Sequence, residues 1–220
     1  MGAQPISLRV VRSERPHEAV DGLRAQLRRM QAEPARQPLV MPDVVRSLVE
    51  IRTGGAYRVD DQSLALTLLS AVSAAGNWIG AVGLNDVGWE AAAEAGLDLS
   101  RAVTVPDPGD LWLEAVTALV DVLPVLWVRP PRPVSPRLAS TVAARLRKRE
   151  ATLFIQGDWP GAEAQLWVEQ ARWVGVGDGS GRLQERSAHI ACRRGTAPVR
   201  YAPWPPALEE TRRDLKVRAG

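Results

Sequence analysis

The chain has 220 residues, of which 45% are hydrophobic and 24% are charged, and its formal net charge is +3 at pH 7. These proportions are typical of a globular domain and exclude fibrous and intrinsically disordered proteins. No apolar stretch reaches the ~18 residues of a membrane span, and the N-terminus lacks the pattern of a signal peptide. The single cysteine, Cys192, excludes an intrachain disulfide and a cysteine-based zinc site. We therefore expect a cytoplasmic protein that does not enter a membrane.

Positive charge is concentrated towards the C-terminus. Residues 178–220 contain nine basic and five acidic side chains, whereas residues 44–177 contain 12 basic and 15 acidic ones. Only two of the 28 basic residues are lysines, which is typical of a protein encoded by GC-rich DNA. An acidic body with a basic C-terminal segment indicates contact with nucleic acid or with an acidic partner.

The first predicted element is a helix over residues 16–32, which ends at a proline-rich linker over residues 33–38. Its apolar residues are spaced three, four and three positions apart, namely Val20, Leu23, Leu27 and Met30. This narrow apolar seam is typical of a helix that pairs with another helix. Two interpretations stay open: the helix packs on its own domain, or it is an arm that docks on another chain, including a second copy.

From residue 56 onwards, predicted strands alternate with predicted helices. The strands cover residues 56–59, 78–84, 102–105, 125–128 and 152–156, and the helices cover residues 63–75, 87–95, 111–122 and 138–149. Strands joined by helices in this way form a mostly parallel sheet. Two later strands, 165–174 and 182–193, enclose a glycine-rich loop and predict an antiparallel hairpin at one side of the sheet.

The last segment, from residue 196, is proline-rich and basic. Because proline donates no hydrogen bond to a sheet, we expect this segment to stay outside the sheet as a contact surface. Arginine and tryptophan are common anchors of protein interfaces. The candidate partner-binding residues of this region are therefore Arg193, Arg194, Arg200, Trp204, Arg212 and Arg213. The predicted organisation is an N-terminal arm and linker (1–40), a core (41–195) and a tail (196–220).

Eight tryptophans are distributed along the chain. Trp78, Trp127 and Trp173 fall within predicted strands, so we expect them in the core. Trp159 and Trp204 adjoin prolines, and we expect both side chains to be exposed.

The turn after the first strand of the core has no phosphate-binding signature. It reads Asp60-Asp61-Gln62-Ser63, without the glycines and the lysine that wrap nucleotide phosphates. Two carboxylates at the start of the next helix would repel a triphosphate. The central strand is followed by Arg129 instead of a metal-binding acid. We therefore expect no ATP cofactor, and we identify no catalytic, cofactor-binding or metal-binding residue.

Several polar residues near predicted strand ends have more than one interpretation. Arg129 and Arg132 form either a solvated turn stiffened by prolines or an anion contact. Asp86 either caps the next helix, which we favour, or acts as a catalytic acid, and Asp110 is expected to cap the helix that follows it. Cys192 lies beside two arginines, which lower the pKa of a thiol, but no histidine stands near it, so we predict no reactive thiol.

The core contains four distinctive stretches: residues 63–69 (SLALTLL), 81–88 (AVGLNDVG), 125–131 (VLWVRPP) and 157–162 (GDWPGA). As a set, they resemble the ImuA family in its actinobacterial form, a shortened relative of RecA, over about residues 54–177. The resemblance implies a RecA-like three-layer α/β core with a mostly parallel sheet and antiparallel strands at the C-terminal side. It also implies a degenerate nucleotide-binding loop.

The resemblance further implies a role in damage-induced mutagenesis within the SOS response. Members of the family join an inactive Y-family polymerase homologue, ImuB, and a mutagenic C-family DNA polymerase in a complex that copies DNA across lesions. We therefore expect a non-catalytic accessory subunit of such a complex, with direct DNA contact left open. The alternatives are a SulA-like inhibitor that binds the cell-division tubulin, a DNA-binding protein that modulates RecA, and an enzyme with an unrecognised site.

Overall fold

The computed structural model describes residues 35–177 and 180–204, with the backbone alone for residues 170–187. The predicted arm helix and the end of the predicted tail lie outside these residues. So do their candidate contact residues Val20, Leu23, Leu27, Met30, Arg212 and Arg213. The chain divides into two units, residues 1–34 and 35–220, and the described residues all belong to the second.

The described residues form five α-helices, two 3₁₀ helices (Leu99–Arg101 and Gly109–Leu111) and eight strands. The helices are α1 (Asp43–Arg46), α2 (Gln62–Ala74), α3 (Trp89–Glu94), α4 (Trp112–Val120) and α5 (Pro136–Arg149). The strands are β1 (Ala56–Val59), β2 (Ile79–Val82), β3 (Ala102–Val105), β4 (Val125–Val128), β5 (Thr152–Ile155), β6 (Ala164–Gly177), β7 (Ser180–Arg193) and β8 (Arg200–Trp204). In this part of the chain, no helix is long and apolar enough to cross a bilayer.

The eight strands form one sheet in the order β3-β2-β4-β5-β1-β6-β7-β8. Strands β1 to β6 run parallel to one another, and β7 runs antiparallel to β6 and to β8. The predicted fold class is therefore confirmed: a mostly parallel α/β sheet with antiparallel pairing at the C-terminal side. The hairpin strands β6 and β7 are longer than predicted, and their ladder contains two register shifts, which is typical of β-bulges.

Helices pack on both faces of the sheet, so the core has three layers. Because side chains alternate along a strand, Tyr57 of β1 packs on the face covered by α2, and its neighbour Ala56 packs on the face covered by α4 and α5. Leu64 and Leu68 of α2 are fully buried on the first face, as is Leu146 of α5 on the second. Each such side chain stabilises the fold by about 1.5–3 kcal/mol.

Residues Arg200–Trp204 form β8, so the expectation that the proline-rich segment stays outside the sheet is wrong. β8 is the last strand in the sheet order, and Pro203 pairs there with His189 of β7. An edge strand tolerates proline because one side of it has no ladder that needs the missing N–H. Trp204, which was expected to be exposed, is buried in the same cluster as α2.

The other predicted tryptophan positions are partly right. Trp127 of β4 is fully buried, as expected. Trp78 is 46% exposed instead of buried, because it precedes β2 at the amino edge of the sheet. Trp159 is buried instead of exposed, because it packs in the cluster that α4 and α5 cover. The side chain of Trp173 lies outside the described residues.

Candidate functional site

Parallel strands end together at one edge of the sheet, the edge where α/β proteins bind their ligands. We call the polar side chains at this edge the carboxyl-edge site: Arg58, Asp60, Asp86, Arg129, Gln156, Asp158 and Gln165. They come from strands that are far apart in sequence. The sheet order brings them together, because β2, β4, β5, β1 and β6 are consecutive neighbours.

Asp60 is the centre of the first half of this site. Its carboxylate accepts hydrogen bonds from Arg58 at 3.1 Å, from the side-chain amide of Gln165 at 2.9 Å and from the backbone N–H of Gly157 at 3.3 Å. Arg58 also pairs with Asp158 at 2.9 Å. Three donors satisfy most of the acceptor positions of one carboxylate. Asp60 therefore joins the end of β1 to β6 and to the loop after β5.

Arg129 is the centre of the second half. Its guanidinium donates to the carboxylate of Asp86 at 2.7 Å and to the side-chain oxygen of Gln156 at 2.8 and 3.2 Å. The hydrogen bond from Arg129 is the main reason that the pKa of Asp86 lies below its usual value. Arg129 therefore links the loops that follow β2, β4 and β5.

The backbone beside this ion pair is closely packed. The N–H of Arg129 donates to the carbonyl of Val82 at 2.9 Å, and Gly83 has a φ of +76°. A Cβ atom at Gly83 would lie 2.3 Å from the carbonyl oxygen of Arg129. Glycine is therefore required at the point where the loops after β2 and β4 meet.

The turn between β1 and α2 is only two residues long, since β1 ends at Val59 and α2 begins at Gln62. The side chain of Asp61 accepts a hydrogen bond from the backbone N–H of Leu64 at 2.8 Å. The chain's own carboxylate thus caps the helix N-terminus. An anion that approached the N-terminus of α2 would be repelled by the carboxylates of Asp60 and Asp61, which lie beside the N–H donors of the helix.

Two residues predicted to cap helices are ion-pair partners instead. Both α3 and α4 start without a side-chain cap. Asp86 pairs with Arg129, as described above, and Asp110 lies 3.0 Å from Arg132. In both cases the carboxylate accepts a charge-assisted hydrogen bond from an arginine of the loop after β4.

A pocket of about 260 Å³ opens at the same edge of the sheet. Its walls are the proline-rich turn over residues 130–133 and the segment Gln156, Gly157 and Asp158 after β5. Within residues 35–177 and 180–204, no three histidine, cysteine, aspartate or glutamate side chains are grouped so that they could hold a metal ion. The site therefore consists of paired arginines, carboxylates and amides around a small opening.

The structure separates the predicted partner-binding arginines of the C-terminal segment. Arg193, at the end of β7, donates to Gln165 at 3.2 Å and lies 5.9 Å from the centre of the Trp167 ring, a cation–π distance. Arg193 therefore borders the carboxyl-edge site. Arg200 donates to the backbone carbonyl of Leu48 at 2.9 Å, so it attaches β8 to the segment after α1.

The environment of the Cys192 thiol is dominated by burial and not by the arginines beside it. The cysteine is buried in β7, and burial raises the pKa of its thiol. Arg200 and Arg194 act in the opposite direction but more weakly. The effect of burial on the thiol pKa therefore exceeds that of the arginines, and a buried thiol of this kind is typically unreactive. Arg194 itself follows β7 and is exposed.

Sequence reasoning did not single out Arg58, Gln156, Asp158 or Gln165. These residues could have been found from their positions relative to the predicted strands. Arg58 is a charged residue within a strand that is otherwise buried, and the other three lie next to the ends or starts of parallel strands. In a sheet of known strand order, such residues are expected to converge at one edge.

Fold and site together define an α/β protein whose parallel strands end in a network of ion pairs beside a two-residue β1–α2 turn. The chain belongs to the family described as "MT3502 N-terminal domain", whose model matches residues 45–161. The matched residues include the whole carboxyl-edge site except Gln165.

The chain also resembles a curated protein of Mycobacterium tuberculosis, "Uncharacterized protein Rv3395c". The two sequences are 37% identical over 107 residues. The aligned part is 48% of this chain and 52% of the mycobacterial protein, so the match spans about half the length of that relative.

Proposed function

We propose that the chain is a non-catalytic, ImuA-like accessory subunit of a translesion DNA synthesis complex. In this role it binds an ImuB-like, inactive Y-family polymerase homologue and acts with a mutagenic C-family polymerase in the cytoplasm during damage-induced mutagenesis. The observation that supports the proposal is the carboxyl-edge site. Ion pairs of the chain itself fill the edge of the sheet at which a RecA-type ATPase holds its nucleotide.

The charges at this edge oppose nucleotide binding. Asp60 and Asp61 stand at the start of α2, where a phosphate-binding protein presents backbone N–H groups. At an effective dielectric constant of 20, two like charges 4 Å apart repel each other by about 4 kcal/mol. Arg58 and Arg129 offset this repulsion only in part. These two cations lie among four carboxylates, namely Asp60, Asp61, Asp86 and Asp158, so this edge of the sheet keeps an excess of negative charge. The site therefore suits a structural role better than ATP hydrolysis.

A chain without its own reaction must act through partners. Its basic surplus lies in residues 178–220, and the exposed Arg194 belongs to that region. The seam of Val20, Leu23, Leu27 and Met30 is a second proposed contact, either with a partner or with another copy of the chain. Direct contact with DNA would use the same basic region, since arginines displace counterions from phosphates.

The experiment is a co-purification of the tagged full chain from cells of its source after DNA damage. The expected result is recovery of a Y-family polymerase homologue and a C-family polymerase in amounts comparable to the bait. An untagged strain and undamaged cells are the controls. Recovery of the cell-division tubulin would favour the SulA-like alternative, and recovery of RecA with DNA would favour the RecA-modulating alternative. Either result without the polymerases would contradict the proposal.

A further inference from the structure

A groove of about 380 Å³ lies between α4 and α5, on the side of the fold opposite to α2. We call it the α4–α5 groove. At one end, its surface is formed by Leu113 of α4 and by Leu138 and Val142 of α5. Leu113 and Leu138 are only partly buried. The structure therefore leaves apolar surface accessible between two helices that are themselves firmly packed on the sheet.

The other end of the groove has an excess of positive charge. Asp121 accepts hydrogen bonds from Arg145 at 2.5 and 2.8 Å and from Arg149 at 3.1 Å. The hydrogen bond from Arg145 is the main reason that the pKa of Asp121 lies below its usual value. The single carboxylate of Asp121 thus pairs with two guanidinium groups, and both arginine side chains are more than 40% exposed. Lys148 also lines the groove and is exposed, with no ion pair to any described residue. Three cations against one anion leave a net charge of +2.

We propose that the α4–α5 groove binds an amphipathic helix of a partner protein, with leucine-like side chains on one face and Asp or Glu side chains that meet Lys148 and Arg145. Recognition of a helix in a groove uses apolar anchors spaced as i, i+3, i+4 and i+7. The apolar end of the groove fits those anchors, and the cationic end selects acidic neighbours. A nucleic acid fits less well, because its phosphates require positive charge along the whole contact. The residues of this groove are different from those of the proposed arm and tail contacts, and the proposal does not depend on the translesion role.

The experiment uses the full chain and a labelled synthetic peptide of about four helical turns. The peptide has leucines spaced as i, i+3, i+4 and i+7 and glutamates at most other positions. Fluorescence anisotropy is expected to show saturable binding. Charge reversal in Lys148→Glu is expected to weaken it roughly fivefold, because an attraction of the size of an exposed ion pair becomes a repulsion. Leu138→Glu, which places a charge among the apolar anchors, is expected to weaken it at least about tenfold.

The matched control is Arg137→Glu, which makes the same change of charge on the same helix but does not line the groove. It is expected to bind like the original chain. A peptide with lysines in place of glutamates, and one with scrambled leucines, are expected to bind much more weakly. Thermal melting of each variant checks that the fold is retained.

Three kinds of outcome would overturn the proposal. The first is that the unmodified chain does not bind the glutamate peptide, or that Arg137→Glu weakens binding as much as Lys148→Glu. The second is that single-stranded DNA, and not the peptide, loses affinity in Lys148→Glu. The third is that light scattering finds a dimer that Leu138→Glu converts to a monomer, since a second copy would then occupy the groove.

Discussion

The guanidinium of Arg129 and the carboxylate of Asp86 lie 2.7 Å apart although 43 residues separate them in sequence. The pair spans the ends of β2 and β4, which are adjacent strands of the sheet. Because Arg129 also donates to Gln156 after β5, one side chain connects three of the loops at which related folds usually place their ligands. The side chain of Arg129 thereby ties these three loops to one another.

Replacement of Asp86 by asparagine is expected to lower the melting temperature at pH 7. The folded protein holds the pKa of Asp86 below its usual value of 3.8, chiefly through the hydrogen bond from Arg129. A lowered pKa contributes stability above the unfolded value, and the contribution is lost as the pH falls below it. The difference in melting temperature between the two chains should therefore close below about pH 3.8. Asp110→Asn, at an acid that is 91% exposed, should show little difference at any pH.

Tyr57→Phe is expected to destabilise the fold by about 1–3 kcal/mol, the cost of unpaired buried polar groups. The Tyr57 hydroxyl accepts a hydrogen bond from the backbone N–H of Arg52 at 2.9 Å and donates to Glu163 at 3.1 Å. Its side chain is only 1% exposed. Urea denaturation measures the loss, and Tyr201→Phe, at a 55% exposed position, is the control and should change little.

The same tyrosine predicts an alkaline limit of stability. Burial is the main cause that raises the pKa of Tyr57 to about 12, from a usual value of 10.0. A raised pKa contributes stability below the unfolded value that is lost as the pH rises towards the folded one. The unmodified chain should therefore lose stability between about pH 10 and pH 12 more steeply than Tyr57→Phe. Equal slopes for the two chains would contradict this prediction.

Gly83→Ala is expected to destabilise the fold more than Gly96→Ala. Both glycines have positive φ, +76° and +94°, so both substitutions impose backbone strain of about 1–2 kcal/mol. Only at Gly83 does the new Cβ also meet the carbonyl oxygen of Arg129, whereas nothing lies within 4 Å at Gly96. Urea denaturation of the two variants measures the difference. Equal losses would show that the loops after β2 and β4 do not approach each other so closely.

Trp204→Ala is expected to cost about 3–5 kcal/mol of folding free energy, as large-to-small substitutions in a core do. Trp204 is 8% exposed, whereas Trp78 is 46% exposed. Trp78→Ala should therefore cost much less in the same denaturation experiment. A small loss at Trp204 would show that β8 contributes little to the core.

A test of the tail as a partner contact should truncate the chain after Trp204, because an earlier end would remove part of β8.

Calorimetric titration with ATP and magnesium is expected to show no heat above that of dilution. The reason is the pair Asp60 and Asp61 at the start of α2 and the absence of any lysine before Lys148. A dissociation constant below about 100 μM, or roughly −5.5 kcal/mol, would contradict the proposed loss of nucleotide binding. Asp60→Asn removes one of the two charges, and stronger ATP binding by this variant would show that the Asp60 carboxylate repels the nucleotide.

The strands and helices that follow from the local pattern of apolar residues could be predicted from the sequence. The strands β1 to β5 and the helices between them follow apolar runs and periodicity, and their bounds agree within a few residues. β8 could not be predicted in this way, because its five residues include a proline. Its place depends on a free edge beside β7, which is a property of the completed sheet.

The carboxyl-edge site, likewise, could be predicted only in part from the sequence. The sequence identified the acidic turn at Asp60 and the arginine after β4, because each stands next to a clear strand. It did not indicate that Arg129 pairs with Asp86, or that Asp60 accepts a hydrogen bond from Gln165, 105 residues later. Such partners depend on which strands are neighbours, and strand order is not encoded in the pattern of any single element.

The position of β1 has a consequence for the synthesis of the chain. β1 lies between β5 and β6, and Ala56 is paired with Leu153 while Tyr57 is paired with Ala164. Among the strands that the structure describes, β1 is the first to leave the ribosome, and its partners β5 and β6 follow only after about a hundred further residues have been made. At about 5–20 residues per second, that interval is roughly 5–20 s. During this time α2 can cover only one face of β1, so the other face, which α4 and α5 cover in the folded protein, stays exposed in the nascent chain.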